Sequence, residues 1–177
     1  AKRRNLTTPS SIASVRFSTT YIYEQIKKSD DYDCQGGATI ADALQVMRNK
    51  GAALLSCQPN QCGANVSNCD AEAANYKIEN FATLFDILQT PSEVKILKIK
   101  EALAEGEVAV PIGLLVPRSF FSATDQWQSA PGEDIDHVLG GHALTIIGYD
   151  DNRYGGSFLI ANSWGTQWGN NGFTWAK

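Results

Sequence analysis

The sequence lacks a long apolar run and has no surplus of basic residues. No apolar stretch approaches the ~20 residues that a membrane-spanning helix needs, so we expect no membrane partner. The 15 Lys and Arg are outnumbered by 19 Asp and Glu, the net charge is −4 and the pI is near 5.1. With no basic stripe beyond the opening AKRRN, this balance argues against a nucleic-acid partner. Internal repeats are also missing, and 177 residues that are 43% hydrophobic suffice for a sizeable core, as one domain or two small lobes.

Cysteine is scarce, but the number is even: Cys34, Cys57, Cys62 and Cys69. Four cysteines allow three complete disulfide pairings, and the sequence does not choose among them. Because disulfides persist in oxidising compartments, the set favours a secreted or periplasmic protein, with free thiols in a cytoplasmic protein as the alternative. The spacings CxxxxC and CxxxxxxC differ from the CxxC of structural zinc sites, and no histidine stands nearby. We therefore expect disulfides and no metal.

Two helices are predicted in the first part of the chain. The first begins after Ser18, a good N-cap, and extends to about Lys27, while the second covers residues 39–50 and ends at Gly51. Their apolar faces at helical spacing consist of Phe17, Tyr21, Ile22 and Ile26, and of Ile40, Ala43, Leu44 and Met47.

A third helix and a strand are predicted in the middle of the chain. Pro91 and Gly106 punctuate the helix that begins at Ser92, which has Val94, Leu97 and Leu103 among its apolar positions. The run VAVPIGLLV then predicts a buried strand, with Pro111 at an edge or a bulge because it has no N–H. The following SFFSATDQWQSAPGED is an aromatic loop that either borders a substrate cleft or is an ordinary surface loop.

The last third of the chain predicts a β-hairpin that carries a reactive pair. Two apolar, β-branched runs, Ala143 to Tyr149 and Ser157 to Ala161, flank the polar turn DDNRYGG. Folding about this turn places His142 opposite Asn162 or its immediate neighbour, where cross-strand side chains lie about 5 Å apart.

A histidine that acts as a general base needs one ring nitrogen fixed by a partner, so that the other faces the reacting group. Asn162 is able to accept that hydrogen bond. Trp164, two residues further on and on the same face, is placed to exclude water from the pair. For an isolated His and Asn, a purely structural contact is the simpler interpretation, and it is the surrounding residues that favour chemistry.

The stretches GHALTIIGYDD and NSWGTQWGNNGF resemble the C-terminal half of papain-like cysteine peptidases, in which the asparagine opens NSWGxxWGxxG. The resemblance implies that His142 is the catalytic base, Asn162 its orienting partner and Trp164 the indole that covers their hydrogen bond. The turns after the strand would use Gly165, Gly169 and Gly172. Gly141 departs from the pattern, since many members have Asp before the histidine.

The first part of the chain also resembles this family, particularly its bacterial members, through Cys34-Gln35-Gly36-Gly37, which matches CxGG. The resemblance implies an α+β fold with two lobes and with the site between them. We expect an incomplete helical lobe over residues 1–90, without the nucleophile helix, and an antiparallel β-barrel-like lobe over 91–177 that carries His142 and Asn162. It implies no cofactor.

The nucleophilic cysteine of such a peptidase is not found in this chain. The family places it about 130 to 150 residues before the histidine, a window that ends near Ser11 or Ile12 and holds no cysteine. Ser14 is a poor substitute, because the short span from it to Cys34 already contains the helix that begins at Ser18. We expect AKRRN to be the tail of the nucleophile helix, the chain to be truncated at both ends, and the cysteine to lie upstream of Ala1. His137 is expected to be a loop residue.

Two functions therefore remain open. In the first, the chain is the larger part of a peptidase that acts on peptides or proteins, and a separate N-terminal segment supplies the nucleophile. In the second, it is an inactive papain-like module that binds peptide or protein. We expect the chain alone to be inactive. We also expect the side chains of Tyr21, Ile22, Leu44 and Met47 to be buried, partly by residues outside 17–177.

Overall fold

A computed structural model of the chain describes residues 15–105, 109–133 and 140–177. The predictions made for AKRRN, Ser14, Gly106 and His137 lie outside these residues. The chain divides into two compact units, Ala1–Ala82 and Thr83–Lys177, whereas the sequence suggested a boundary near residue 90. None of the described helices is long and apolar enough to cross a membrane.

The first unit consists of short helices joined by long loops. Its helices are α1 (Thr19–Tyr23), α2 (Ile40–Asn49) and α3 (Asp70–Ala73), and 3₁₀ turns cover Ser67–Cys69 and Ala74–Tyr76. The predicted N-cap of α1 is confirmed, because the Ser18 hydroxyl oxygen accepts a hydrogen bond from the Tyr21 N–H at 3.1 Å. The helix is shorter than predicted, since only separate turns follow Tyr23.

Asn60 fastens a loop onto the beginning of α1. Its side-chain oxygen accepts hydrogen bonds from the backbone N–H of Thr19 at 3.1 Å and of Thr20 at 3.4 Å, and from the hydroxyl groups of Ser18 and Thr19. The first N–H groups of a helix have no partner within it, so this amide satisfies donors that the Ser18 cap leaves open. The loop between Cys57 and Cys62 is thereby held against the helix.

Two disulfides reinforce a small core in the first unit. The buried members of this core are Tyr21, Ala53, Cys69 and Ala73. Cys57 pairs with Cys69 and Cys34 pairs with Cys62, which confirms the predicted disulfides and selects one of the three pairings that the sequence left open. A core of this size needs such cross-links, because it buries little apolar surface.

The predicted burial of four apolar side chains in this unit is confirmed for one of them. Tyr21 is fully buried, but Ile22, Leu44 and Met47 are only half-buried. The prediction was wrong for these three. Leu44 and Met47 lie on α2, which is at the surface of the unit: none of its residues is buried, although its apolar positions share one face. Ile22 lies on α1 and packs against the edge of the small core that contains Tyr21.

The second unit is a five-stranded sheet with one long helix, α4 (Ser92–Ala104). The strands are β1 (Val110–Leu115), β2 (Gln126–Trp127), β3 (Gly141–Asp150), β4 (Ser157–Ala161) and β5 (Phe173–Ala176). Their order is β1-β3-β4-β5-β2, with antiparallel pairing except between β2 and β5. Pro111 lies on the edge strand, as predicted from its missing N–H. The strand is not buried throughout, since its residues alternate between the core and solvent.

One face of the sheet and one face of α4 form the core of this unit. The buried members of the core are Ile99, Val110, Val116, Phe120, Ala123, Leu144, Ile146, Ile160, Trp168 and Ala176. The predicted apolar face of α4 was partly wrong, because Val94 and Leu97 are 38% and 57% exposed. The buried face passes through Ile99, Ala102 and Leu103, a spacing of three and four residues that leaves Leu97 on the other side.

Candidate active site

The hairpin of β3 and β4 brings His142 and Asn162 together at one end of the sheet. Pairing between the strands ends at Thr145 and Ala161, and a bulge follows Ile146. His142 lies on β3 three residues before this last pair, and Asn162 directly follows β4. The two side chains therefore meet diagonally across the end of the hairpin. The prediction that His142 lies opposite Asn162 or its immediate neighbour was wrong, because the observed register leaves His142 two residues beyond the position that faces Asn162. Both are half-buried and lie on the face that carries the core residues Leu144 and Ile160, since side chains alternate along a strand.

A short hydrogen bond joins the pair and fixes the imidazole tautomer. The distance from His142 Nε2 to Asn162 Oδ1 is 2.8 Å, which confirms the contact predicted from the sequence. Asn162 Oδ1 also accepts the backbone N–H of Ser163 at 2.8 Å, so the amide cannot be turned around without placing two donors against each other. An amide oxygen only accepts, and the proton therefore resides on His142 Nε2. The neutral ring keeps its lone pair on Nδ1, where a general base needs it.

The indole of Trp164 lies against the imidazole. The ring centroids of His142 and Trp164 are 4.7 Å apart with an interplanar angle of 26°, and Phe121 stacks on the same indole at 4.8 Å. Phe120, which is fully buried, contacts Trp164 at 5.5 Å and Trp168 at 4.9 Å. An apolar ring over the pair shields its hydrogen bond from water and so strengthens it.

Glycines shape the chain that leaves Asn162. The backbone N–H of Asn162 donates to the Gly172 carbonyl at 2.9 Å, which ties the residue to the far end of the NSWG turn. Gly165, Gly169 and Gly172 have φ values of +86°, +59° and +90°, which are unfavourable for other residues. A Cβ at Gly169 would also approach the Phe173 carbonyl oxygen to 2.3 Å. The glycines therefore serve the turns, as the resemblance implied.

The model of the "Papain family cysteine protease" family matches residues 6–177 of the chain. The chain belongs to the papain family. Two relatives show how similar the sequence is to those of known proteins. The "Uncharacterized peptidase C1-like protein L477" of Acanthamoeba polyphaga mimivirus is 31% identical over 104 residues, which are 58% of this chain and 32% of that protein. Cysteine proteinase 3 of Entamoeba histolytica is 26% identical over 146 residues, 82% of this chain and 44% of that protein.

Solved structures of papain-family enzymes share the fold. Xylellain, a cysteine protease from Xylella fastidiosa, superposes with a TM-score of 0.67 at 26% identity, over 89% of this chain and 60% of that one. Bromelain from Ananas comosus superposes with a TM-score of 0.66 at 18% identity, over 91% of this chain and 68% of that one. The chain thus has a papain-like α+β fold, and it spans 32% and 44% of the two curated relatives.

A papain-family peptidase needs a cysteine thiolate, and this chain has no thiol to offer. All four cysteines form disulfides. Cys34 and Cys62 also approach the carboxylate of Glu24, so that three potential metal ligands lie within 4.8 Å of one another. Their sulfurs are bonded to each other, and a disulfide offers no thiolate to a metal ion.

Sequence reasoning missed the residues that hold the aromatic loop beside this site. The carboxylate of Glu133 accepts hydrogen bonds from Ser119, Ser129 and Ala130, and Asp125 joins the loop to two other turns. The paired Phe120 and Phe121 were the available signal, because two adjacent large apolar residues in a loop indicate that at least one is anchored. The sequence did not predict which carboxylates accept hydrogen bonds from the loop, since this depends on the conformation of the loop.

Proposed function

We propose that the chain is the portion of a cysteine endopeptidase that supplies the catalytic base and its orienting amide, and that a segment preceding Ala1 supplies the nucleophilic cysteine. The observation that carries the proposal is the 2.8 Å contact of His142 Nε2 with Asn162, in which the Ser163 N–H fixes the amide. A protein that only binds peptides has no need for an imidazole held in one tautomer. Family membership supports peptide hydrolysis as the reaction.

The proposed reaction proceeds through a thioester. The thiol transfers its proton to His142 Nδ1, and the thiolate attacks the peptide carbonyl carbon. The resulting imidazolium returns that proton to the leaving amine as the C–N bond breaks. His142 Nδ1 then takes a proton from water, whose oxygen attacks the thioester carbonyl carbon. The C–S bond breaks, the carboxylic acid is released, and the imidazolium proton passes to the leaving thiolate, which restores the thiol. Throughout, Asn162 Oδ1 holds Nε2–H and stabilises the charged ring.

The partner that we propose for the first unit is the nucleophile segment itself. The half-buried Ile22, Leu44 and Met47 offer apolar surface for a helix to cover. Complete burial of such a side chain from water contributes roughly 1.5 to 3 kcal/mol, and because these three are already half-buried, a covering segment gains only part of that from each. The substrate is a peptide or protein. The two disulfides support a secreted or periplasmic location.

The second candidate function is an inactive binding module. The observation that favours it is the pairing of all four cysteines, which leaves the chain without a nucleophile. The residues that precede Ala1 in the natural protein discriminate between the two functions. A cysteine followed by Trp or a small residue there supports the peptidase, and its absence supports the binding module.

The test compares the 177-residue chain with a protein extended upstream by its natural residues. Both are incubated with a broad-specificity peptide substrate and a mild thiol reductant. We expect turnover only by the extended protein, and its loss on His142→Ala. Turnover by the chain alone that disappears on Ser14→Ala would show that serine is the nucleophile and overturn the proposal.

A further inference from the structure

We propose that Glu133 is a positioning residue for the catalytic pair, acting through Ser119, the Phe120-Phe121 turn and Trp164. The inference rests on the proposed function in its purpose, because positioning matters only if His142 acts as a base. The contacts that carry it all lie in the second unit, and none of them involves the nucleophile segment. Glu133 itself touches neither His142 nor Asn162 in these contacts, so it is not a catalytic residue.

Glu133 holds the loop through four hydrogen bonds to its carboxylate, which together we call the clamp. One carboxylate oxygen accepts the backbone N–H of Ser119 at 2.8 Å. The other accepts the Ser119 hydroxyl at 2.6 Å, the Ala130 N–H at 3.1 Å and the Ser129 hydroxyl at 3.2 Å. The hydrogen bonds from Ser119 lower the pKa of Glu133, so the clamp is anionic at neutral pH. Hydrogen bonds to an ionised carboxylate are stronger than those between neutral groups.

Ser119 connects the clamp to the aromatic rings. Ser119 lies in the 3₁₀ turn Arg118–Ser122, directly before Phe120 and Phe121. Its hydroxyl oxygen accepts the indole N–H of Trp127 at 3.1 Å, and that indole contacts Phe120 edge to face at 4.9 Å. The clamp therefore fixes the turn from two sides, by its backbone and by the Trp127 ring.

Stacked rings connect the turn to the imidazole of His142. Phe121 is 51% exposed, so burial alone does not hold it in place, yet it stacks on Trp164 with an interplanar angle of 20°. Trp164 stacks in turn on His142. A turn that is free to move would release Phe121 and allow the indole to shift from the imidazole, which would expose the hydrogen bond from Nε2 to water.

Glu133→Gln is the sharpest variant because the amide has nearly the shape of the carboxylate. Both carboxylate oxygens accept a backbone N–H, from Ser119 and from Ala130. A glutamine places its NH₂ group against one of these donors in either orientation, so the clamp must open. Ser119→Ala is the milder variant, since it removes the hydroxyl and keeps the backbone donor. Glu101→Gln, at an exposed position of α4, is the matched control for the loss of charge.

The readout is the NMR spectrum of His142 in the ¹⁵N-labelled chain, which needs no peptidase activity. The chain has two histidines, and a His137→Gln variant assigns the signals. In the wild type and in Glu101→Gln we expect the Nε2–H tautomer and carbon-bound ring protons shifted upfield by the stacked indole. In Glu133→Gln we expect this upfield shift to shrink and exchange of the Nε2 proton with solvent to quicken roughly tenfold, with a smaller change in Ser119→Ala.

Signals of His142 that match the control in both variants would overturn the inference, as would an unfolded Glu133→Gln accompanied by an unchanged Ser119→Ala. The outcome is separate from that of the proposed function. If the spectra change as expected while the upstream-extended protein shows no turnover, the positioning stands and the peptidase proposal fails. In an active extended protein, we expect Glu133→Gln to lower kcat and to leave KM nearly unchanged.

Discussion

The amide of Asn162 determines which nitrogen of His142 carries the proton. Its oxygen accepts from Nε2 at 2.8 Å, and a neutral hydrogen bond of this kind contributes about 1 kcal/mol. Asn162→Ala removes it. We expect the ratio of the Nε2–H to the Nδ1–H tautomer to fall roughly fivefold, as measured from the ¹⁵N shifts of the ring at alkaline pH. Asn162→Asp is the matched control, because it keeps an accepting oxygen. An unchanged ratio in Asn162→Ala would mean that the ring is fixed by its stacking on Trp164 alone.

Asp125 makes the stability of the second unit depend on pH at the acid end. Hydrogen bonds from Asn170, Tyr154 and Arg153 lower the pKa of Asp125 to about 2. In the unfolded chain an aspartate titrates near 4, so the stabilisation is present above about pH 4 and is lost as the pH falls through about 2. We expect Asp125→Asn to flatten the dependence of Tm on pH between these values. Asp30→Asn, at an exposed position, serves as the control. A parallel pH dependence in wild type and Asp125→Asn would contradict this account.

Much of the site was predictable residue by residue, but its support was not. His142, Asn162 and Trp164 follow from the hairpin pattern and the NSWG motif, because the period of a strand and the length of a turn determine which side chains meet. Glu133 and Asp125 hold loops through contacts with residues distant in sequence. No period or turn rule places such carboxylates, and this part of the site required the structure.

Helix α2 ends where its backbone meets α3. Gly51, just past the end of α2, has a φ of +99°, and a Cβ there would lie 1.9 Å from the Ala73 carbonyl oxygen. Gly51→Ala therefore combines backbone strain with a collision, while Gly63→Ala, at a φ of +76° with open space around it, has the strain alone. We expect Gly51→Ala to destabilise the chain by about 1 to 3 kcal/mol more than Gly63→Ala in urea unfolding. If the two variants lose the same free energy of unfolding, the close contact between Gly51 and α3 does not contribute to stability.

The limits of prediction for elements are visible in α1 and α4. The start of α1 follows from the Ser18 cap, but its early end at Tyr23 does not follow from the apolar spacing, which continues to Ile26. In α4 the buried face is selected by the sheet against which it packs, through Ile99 and Leu103, and not by the helix's own weak segregation of apolar residues. Strand β1 shows the opposite case, since the missing N–H of Pro111 was enough to place it at the edge.

The two units differ in composition, since both disulfides lie in the first and all four tryptophans in the second. Each disulfide is expected to contribute about 2 to 4 kcal/mol by restricting the unfolded chain. We therefore expect reduction to accelerate amide hydrogen exchange across residues 15–82 far more than across 83–177. Tryptophan fluorescence reports the unfolding of the second unit alone. We expect reduction to change the midpoint of this unfolding less than it changes hydrogen exchange in the first unit. If reduction accelerated hydrogen exchange equally in both units, the proposal that the disulfides stabilise mainly the first unit would be contradicted.

We propose that His142 and Asn162 activate a thiol that comes from outside these 177 residues. The most direct measurement is the rate at which iodoacetamide alkylates the natural protein that includes the residues preceding Ala1, under conditions that keep the two disulfides intact. Rapid alkylation of a single upstream cysteine, slowed at least roughly tenfold by His142→Ala, is the predicted result, because the imidazole promotes thiolate formation. An upstream sequence without cysteine, or an alkylation rate that His142→Ala leaves unchanged, would contradict the claim.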